Sequence, residues 1–194
     1  MQDVYKPCPC GSGKKFKFCC NQNILSTDPV AILKQSPEFP VYECLNMEGW
    51  ADGGLAPILI VRQQPNLKYT FGVYLVDYYC LGLKNTMCNV NMTYEKIHHY
   101  KNSVPYTFVE FDYQDARSMI LGGIEYAREL GFSPNPHWRE SQYIVEADKP
   151  FEHKFTFGKD GKPLFVNGPE DNVQAIMAKL RGKNFDYILG TGPV

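Results

Sequence analysis

The chain of 194 residues lacks any window of about 18 consecutive apolar residues, so a membrane-spanning helix is excluded. Its first residues are polar and cysteine-rich rather than signal-like. A cytoplasmic protein with no membrane insertion is expected. It also lacks an excess of charge of either sign. Twenty Lys and Arg stand against 21 Asp and Glu, for a net charge of −1, which excludes a surface basic enough to coat nucleic acid along its whole length. Neither a phosphate-cradling glycine loop followed by Lys and Ser/Thr nor a Gly-x-Ser-x-Gly nucleophile elbow occurs, which argues against nucleotide hydrolysis and serine-type acyl transfer. Internal repeats and low-complexity segments are absent.

What is present is uneven. Four of the seven cysteines, Cys8, Cys10, Cys19 and Cys20, crowd into the first twenty residues. An odd count clustered in this way fits metal ligation by thiolates in a reducing compartment better than a disulfide framework. Through residue 23, Lys6, Lys14, Lys15 and Lys17 face only Asp3, a local +3 that leaves −4 for the remainder. An anionic partner, nucleic acid included, would meet the N-terminus.

Tetrahedral zinc needs soft, deprotonated ligands at close range. Cys8 and Cys10 supply one pair and Cys19 and Cys20 the second. Between them Gly11-Ser12-Gly13 reverses the chain, a task for residues that tolerate positive φ. So short a loop has no core of its own, and metal binding would be its folding energy, about 10 to 16 kcal/mol in comparable peptides. A redox-active or incidental cysteine cluster is the alternative. If the segment after the turn is extended, Lys15 and Lys17 alternate with Phe16 and Phe18, giving a cationic side and an aromatic side. Against this docking face stands the plainer reading that the phenylalanines shield the metal and the lysines are merely solvated.

The run from Cys8 to Cys20, CPCGSGKKFKFCC, resembles the SEC-C motif, the zinc-binding element at the C-terminus of the SecA translocation ATPase and of many other bacterial proteins. The resemblance implies Zn2+ held by Cys8, Cys10, Cys19 and Cys20, with Cys20 at a position often occupied by histidine. It further implies an adaptor element that docks on a chaperone or the ribosome. The rest of the chain more distantly resembles the body of uncharacterised bacterial proteins that carry this motif.

After the knuckle, residues 1–23, a proline-bearing connector over 24–40 is expected, with Asp28-Pro29 opening a short helix over 29–35. An α+β domain over 41–194 should follow, an antiparallel sheet packed by helices. Strands are predicted over 41–47, 57–64, 69–79 and 83–90, with 65–68 as a hairpin turn. The near-continuous apolar run at 69–79 suits a central strand covered on both faces. A polar helix is expected over 93–102. The clearest helix spans 113–130, with Asp112 as N-cap, Gly131 beyond its end, and Gly122-Gly123 packed closely on another backbone. Residues 155–157 and 163–166 should form a hairpin about Asp160-Gly161. A last helix should begin near Pro169, capped by Asn167 or Gly168 and buried through Val173, Ile176, Met177 and Leu180.

Within that domain Asp77, at a strand end, and Glu110 and Asp112, two apart before the long helix, are the candidates for metal-assisted hydrolysis. Each has a plainer reading, as a hydrogen-bonded strand-end acid, a solvated acid and a helix cap. His98-His99 point about 100° apart on a helix and share no face. Cys44, Cys80 and Cys88 are expected as buried free thiols. Two functions follow as expectations. The first is a bacterial or phage-type zinc adaptor, binding protein or ribonucleoprotein through Lys14, Lys15, Phe16, Lys17 and Phe18. The second is a metal-dependent nuclease or other hydrolase using the knuckle for recruitment.

Overall fold

A computed structural model describes residues 5–8, 11–19 and 28–190. After a 3-10 turn at Phe16–Phe18 come α1 (Pro29–Gln35), β1 (Val41–Met47), α2 (Trp50–Gly53), β2 (Leu55–Gln63), β3 (Tyr69–Asp77), β4 (Gly82–Met92), α3 (Tyr94–Ser103) and β5 (Phe108–Glu110). There follow α4 (Tyr113–Glu129), α5 (Trp138–Ser141), β6 (Leu164–Val166), α6 (Val173–Leu180) and β7 (Asp186–Ile188). The fold is α+β, and its main sheet is fully antiparallel in the order β4-β3-β2-β1-β5.

The period of two along the central strands sends alternate residues to opposite faces. Ile58 and Ile60 of β2 and Tyr74 and Val76 of β3 face Ile32 and Leu33 of α1 and Ala116, Met119, Ile120 and Ile124 of α4. Leu59, Val61, Phe71 and Val73 face Ile97 of α3. Both faces are therefore covered at the centre, as the continuous apolar runs require. Asp112 caps α4 by accepting from the N–H groups of Gln114 and Asp115. The two glycines of α4 let it sit on the β3–β4 corner. A Cβ on Gly82 would stand 2.4 Å from the Gly123 carbonyl oxygen, and one on Gly123 3.0 Å from Val76.

Four expectations need correction. Residues 29–40 are not a connector, because Ile32, Leu33 and Phe39 are buried in the core. The sheet gains a fifth strand, β5, too short to show a period. The Asp160-Gly161 turn forms, with φ of 53° and 78°, but residues 155–157 make no strand. Phe157 instead stacks on Tyr126 at 5.5 Å, above Gly122. The released partner, β6, pairs in parallel with β7. The last helix starts at Val173, capped by Asn172 through the Ala175 N–H, while Asn167 accepts from the Gly190 N–H. Of its predicted stripe Leu180 is fully buried, with Val173, Ile176 and Met177 partly so around Phe165, Cys80 and Phe132.

Two arginines buried in the body have no counterpart in the sequence reading. Arg62 donates to the carbonyls of Ile144 and Phe39 at 2.8 and 2.7 Å and to the Tyr113 hydroxyl, with Glu146 at 3.6 Å. Arg117 donates to the carbonyls of Val145, Glu146, Lys149 and Pro150 at 2.9 to 3.3 Å. Together they satisfy the backbone of an irregular segment that carries no ladder of its own.

Candidate metal knuckle and the acids of the body

The knuckle is built as a small hairpin. Pro7 and Lys15 form an antiparallel bridge. The Cys8 N–H donates to the Lys14 carbonyl at 2.7 Å, and the Phe16 N–H to the Lys6 carbonyl at 2.9 Å. Gly11 and Gly13 adopt φ of 77° and 70°, the left-handed conformation that favours glycine and turns the chain so tightly. The chain then coils through the 3-10 turn, whose last bond runs from the Cys19 N–H to the Phe16 carbonyl at 3.1 Å. This return brings Cys8 and Cys19 within 3.8 Å of each other.

Four sulfurs about 2.3 Å from a tetrahedral metal stand about 3.8 Å apart along each edge. Cys8 and Cys19, near each other at 3.8 Å, are close enough to belong to one such site, of which the described residues supply only two of four donors. Cys8 and Cys19 are not joined in a disulfide. The donor set that is described therefore fits a thiolate-bound metal. Cys10 and Cys20, the other two expected ligands, lie outside the described residues. Ser12 places its hydroxyl 3.0 Å from the Cys19 sulfur, where it donates to that sulfur once it is a thiolate.

The outer face differs from the alternating one expected of an extended segment. In a 3-10 turn Phe16 and Phe18 do not share a side. Phe16 is 7% exposed and Phe18 52%, so one shields the site and the other faces solvent. Lys14, Lys15 and Lys17 are all exposed. The Lys17 ammonium lies 5.0 Å from the Tyr5 ring and 5.8 Å from the Phe18 ring and donates to the Tyr5 hydroxyl at 3.2 Å. A cation held between two exposed rings is the actual basic and aromatic surface.

The acids of the body do not converge. Asp77 lies on β3, and Glu110 lies on β5, three strands away in the sheet order. At about 4.8 Å per strand that is at least about 14 Å, too far for one metal ion with ligand bonds of about 2.0 to 2.6 Å. Among the described residues no group of three or more His, Cys, Asp or Glu is placed to hold a metal ion. Asp77, Glu110 and Asp112 therefore do not come together around one metal ion.

Each acid has a separate task or none. Asp77 is buried and accepts from the N–H groups of Tyr79 and Cys80 at 3.1 and 2.9 Å, holding the corner between β3 and β4. Burial pushes its carboxyl up to about 6 against those hydrogen bonds and the nearby Lys84. Asp112 is the cap of α4, and Glu110 is exposed on β5.

The three body cysteines are chemically quiet. Burial pushes the thiols of Cys44 and Cys80 up to about 12 and that of Cys88 up to about 11. Cys80 is fully buried, whereas Cys44 and Cys88 are half-buried rather than buried. His98 bonds Asn102 through its Nδ1 at 3.0 Å. Sequence reading also missed the pair of Lys101 with Glu43, joined at 2.8 and 3.0 Å across 58 positions. Burial works against the Lys101 ammonium, and the Glu43 carboxylate outweighs it, so its pKa is raised.

Residues 6–22 match the SEC-C motif. The match covers the knuckle and leaves the larger part of the chain unassigned. No curated protein and no solved structure matches the chain. No helix among the described residues is long and apolar enough to cross a membrane.

Proposed function

We propose that the chain is a zinc-dependent adaptor. Its knuckle binds one Zn2+ through Cys8, Cys10, Cys19 and Cys20 and presents Lys14, Lys15, Lys17 and Phe18 to an acidic protein surface or a ribonucleoprotein. The observation that carries this reading is the hairpin return that sets Cys8 and Cys19 at 3.8 Å. The same return leaves three lysines and Phe18 on the outside. Zinc supplies a structural cross-link rather than a reaction. Exposed lysines give long-range attraction, and the cation between Tyr5 and Phe18 gives a flat, partly desolvated contact. Phe16 lies beneath this face and is no part of it. Thiolate ligands place the protein in a reducing compartment, which favours the cytoplasm. In this reading the knuckle and the body are separate folding units, one held by metal and the other by its core.

The test separates metal binding from docking. The zinc-loaded full chain should contain one Zn2+ per molecule, and the double variant Cys8→Ser, Cys19→Ser should lose it. The double variant Lys15→Glu, Lys17→Glu should keep the metal yet lose the partners that the wild-type chain captures from a cytoplasmic lysate. Equal recovery of the same partners by this variant would sink the docking role while leaving zinc binding intact.

A further inference from the structure

α3 covers only part of the sheet face on which it lies. The register sets Val61, Phe71 and Asn89 in one row across β2, β3 and β4 on that face, Leu59, Val73 and Met87 in the next, and Pro57, Leu75 and Asn85 in a third. Ile97 of α3 packs on the apolar residues of the first two rows, and the Tyr100 ring of the same helix stands 5.8 Å from that of Phe71. The third row is left open. Leu75 is the one residue of β3 that is not buried, and Met87 in the neighbouring row is 43% exposed.

A cavity of about 260 Å3 occupies this gap. The strands line it with Pro57, Leu75 and Asn85 and with Val73 and Met87, while Tyr100 and Tyr106 line it from α3 and from the connection that follows. The Tyr106 ring is held 5.2 Å from that of Phe108 on β5. Among the described residues that line the cavity, none is Asp, Glu, Lys, Arg or His. A desolvated ion would therefore meet no counter-charge there. The two phenols report the same surroundings, since burial pushes that of Tyr100 up to about 12 and raises that of Tyr106. Hydrogen-bonding groups are nonetheless at hand in these phenols and in the Asn85 carboxamide, whose oxygen accepts from Asn135 at 3.5 Å. Apolar surfaces with two aromatic rings and a few polar atoms suit a flat ring system. The volume lies just below the range of drug-sized pockets, which limits the occupant to one or two rings.

We infer that this cavity binds a small neutral aromatic molecule, packed against Tyr100, Tyr106 and Leu75 and hydrogen-bonded to Asn85 or a phenol. The site belongs to the body alone and does not rest on the adaptor reading of the knuckle.

The experiment titrates the zinc-loaded full chain with indole and follows its methyl and amide chemical shifts. Saturable binding with a Kd below about 1 mM is expected, with shifts confined to Val73, Leu75, residues 85–87, Tyr100 and Tyr106. Indole-3-acetamide, neutral, should bind as well as indole, whereas indole-3-acetate, close in size and charged, should not bind. Tyr106→Ala and Met87→Glu should each weaken indole at least about tenfold, and Leu67→Lys, at an exposed apolar residue in the β2–β3 turn, should leave it unchanged. Circular dichroism confirms that the three variants fold. The inference is overturned by no saturation at 5 mM indole, by equal binding of the acetate, by unchanged binding to either cavity variant, or by shifts that map elsewhere. A tryptophan-bearing peptide that saturates these shifts where indole does not would overturn it too, by assigning the cavity to a protein side chain.

Discussion

The knuckle and the body place cysteine in opposite surroundings, and the contrast bears on how each part of the fold is stabilised. Cys8 and Cys19 approach each other across a glycine turn with a hydroxyl on one sulfur. Cys44, Cys80 and Cys88 are distributed over β1, the β3–β4 corner and β4, with thiols pushed up to about 11 or 12 by burial. A loop with one shielded phenylalanine has too little apolar surface to fold alone. The body covers both faces of its sheet with apolar side chains.

The largest effect is expected on chelation. Chelation should abolish the knuckle's share of stability, on the order of 10 kcal/mol, while leaving the thermal unfolding of the body in place. A single transition that moves with chelator would merge the two units and refute the distinction. Next in size is the core, where Met119→Ala in α4, fully buried, should cost about 2 to 5 kcal/mol in urea unfolding and leave zinc content unchanged. Arg117→Met should cost about 3 kcal/mol, because it strips the buried carbonyls of residues 145–150 of their donor.

Smaller, and dependent on pH, is Asp77. Its folded carboxyl titrates near 6, above its ordinary value of 3.8, so the folded state binds the extra proton between these limits. Its contribution to stability is present below about pH 4 and is lost as pH rises through about 6, by at most about 3 kcal/mol. Asp77→Asn keeps an oxygen for Tyr79 and Cys80, so the variant should gain stability relative to wild type across that window. A difference between the two that stays flat from pH 4 to 8 would remove the assignment. Smallest is Lys101→Met, which should cost about 1 kcal/mol or less, since the pair with Glu43 is partly solvated.

Legibility followed the range of the interactions. The strands β1 to β4 and the helix α4 were readable because β-branched runs, Asp112 and Gly131 act within a few residues. The SEC-C stretch was readable because its cysteines and its turn share thirteen positions. What was hidden depends on distant partners. The Asp160-Gly161 turn was correct, yet its strands were not, since Phe157 is claimed by Tyr126 and Gly122 and β6 finds β7 some twenty residues on. Arg62 and Arg117 left a trace, a charge inside an otherwise apolar strand and a charge on the buried side of a helix. Such placements call for a buried set of carbonyls. The bulge of β1 at Tyr42 and the Glu43–Lys101 pair left none, because neither has a local cause.

X-ray absorption at the zinc edge of the purified full chain tests whether the N-terminal loop is a four-thiolate metal knuckle. Four sulfur neighbours at about 2.3 Å are expected, falling to three with a nitrogen or oxygen in Cys20→Ser. A wild-type spectrum with fewer than four sulfurs, or a chain that retains no zinc while Cys8 and Cys19 form a disulfide, would contradict it.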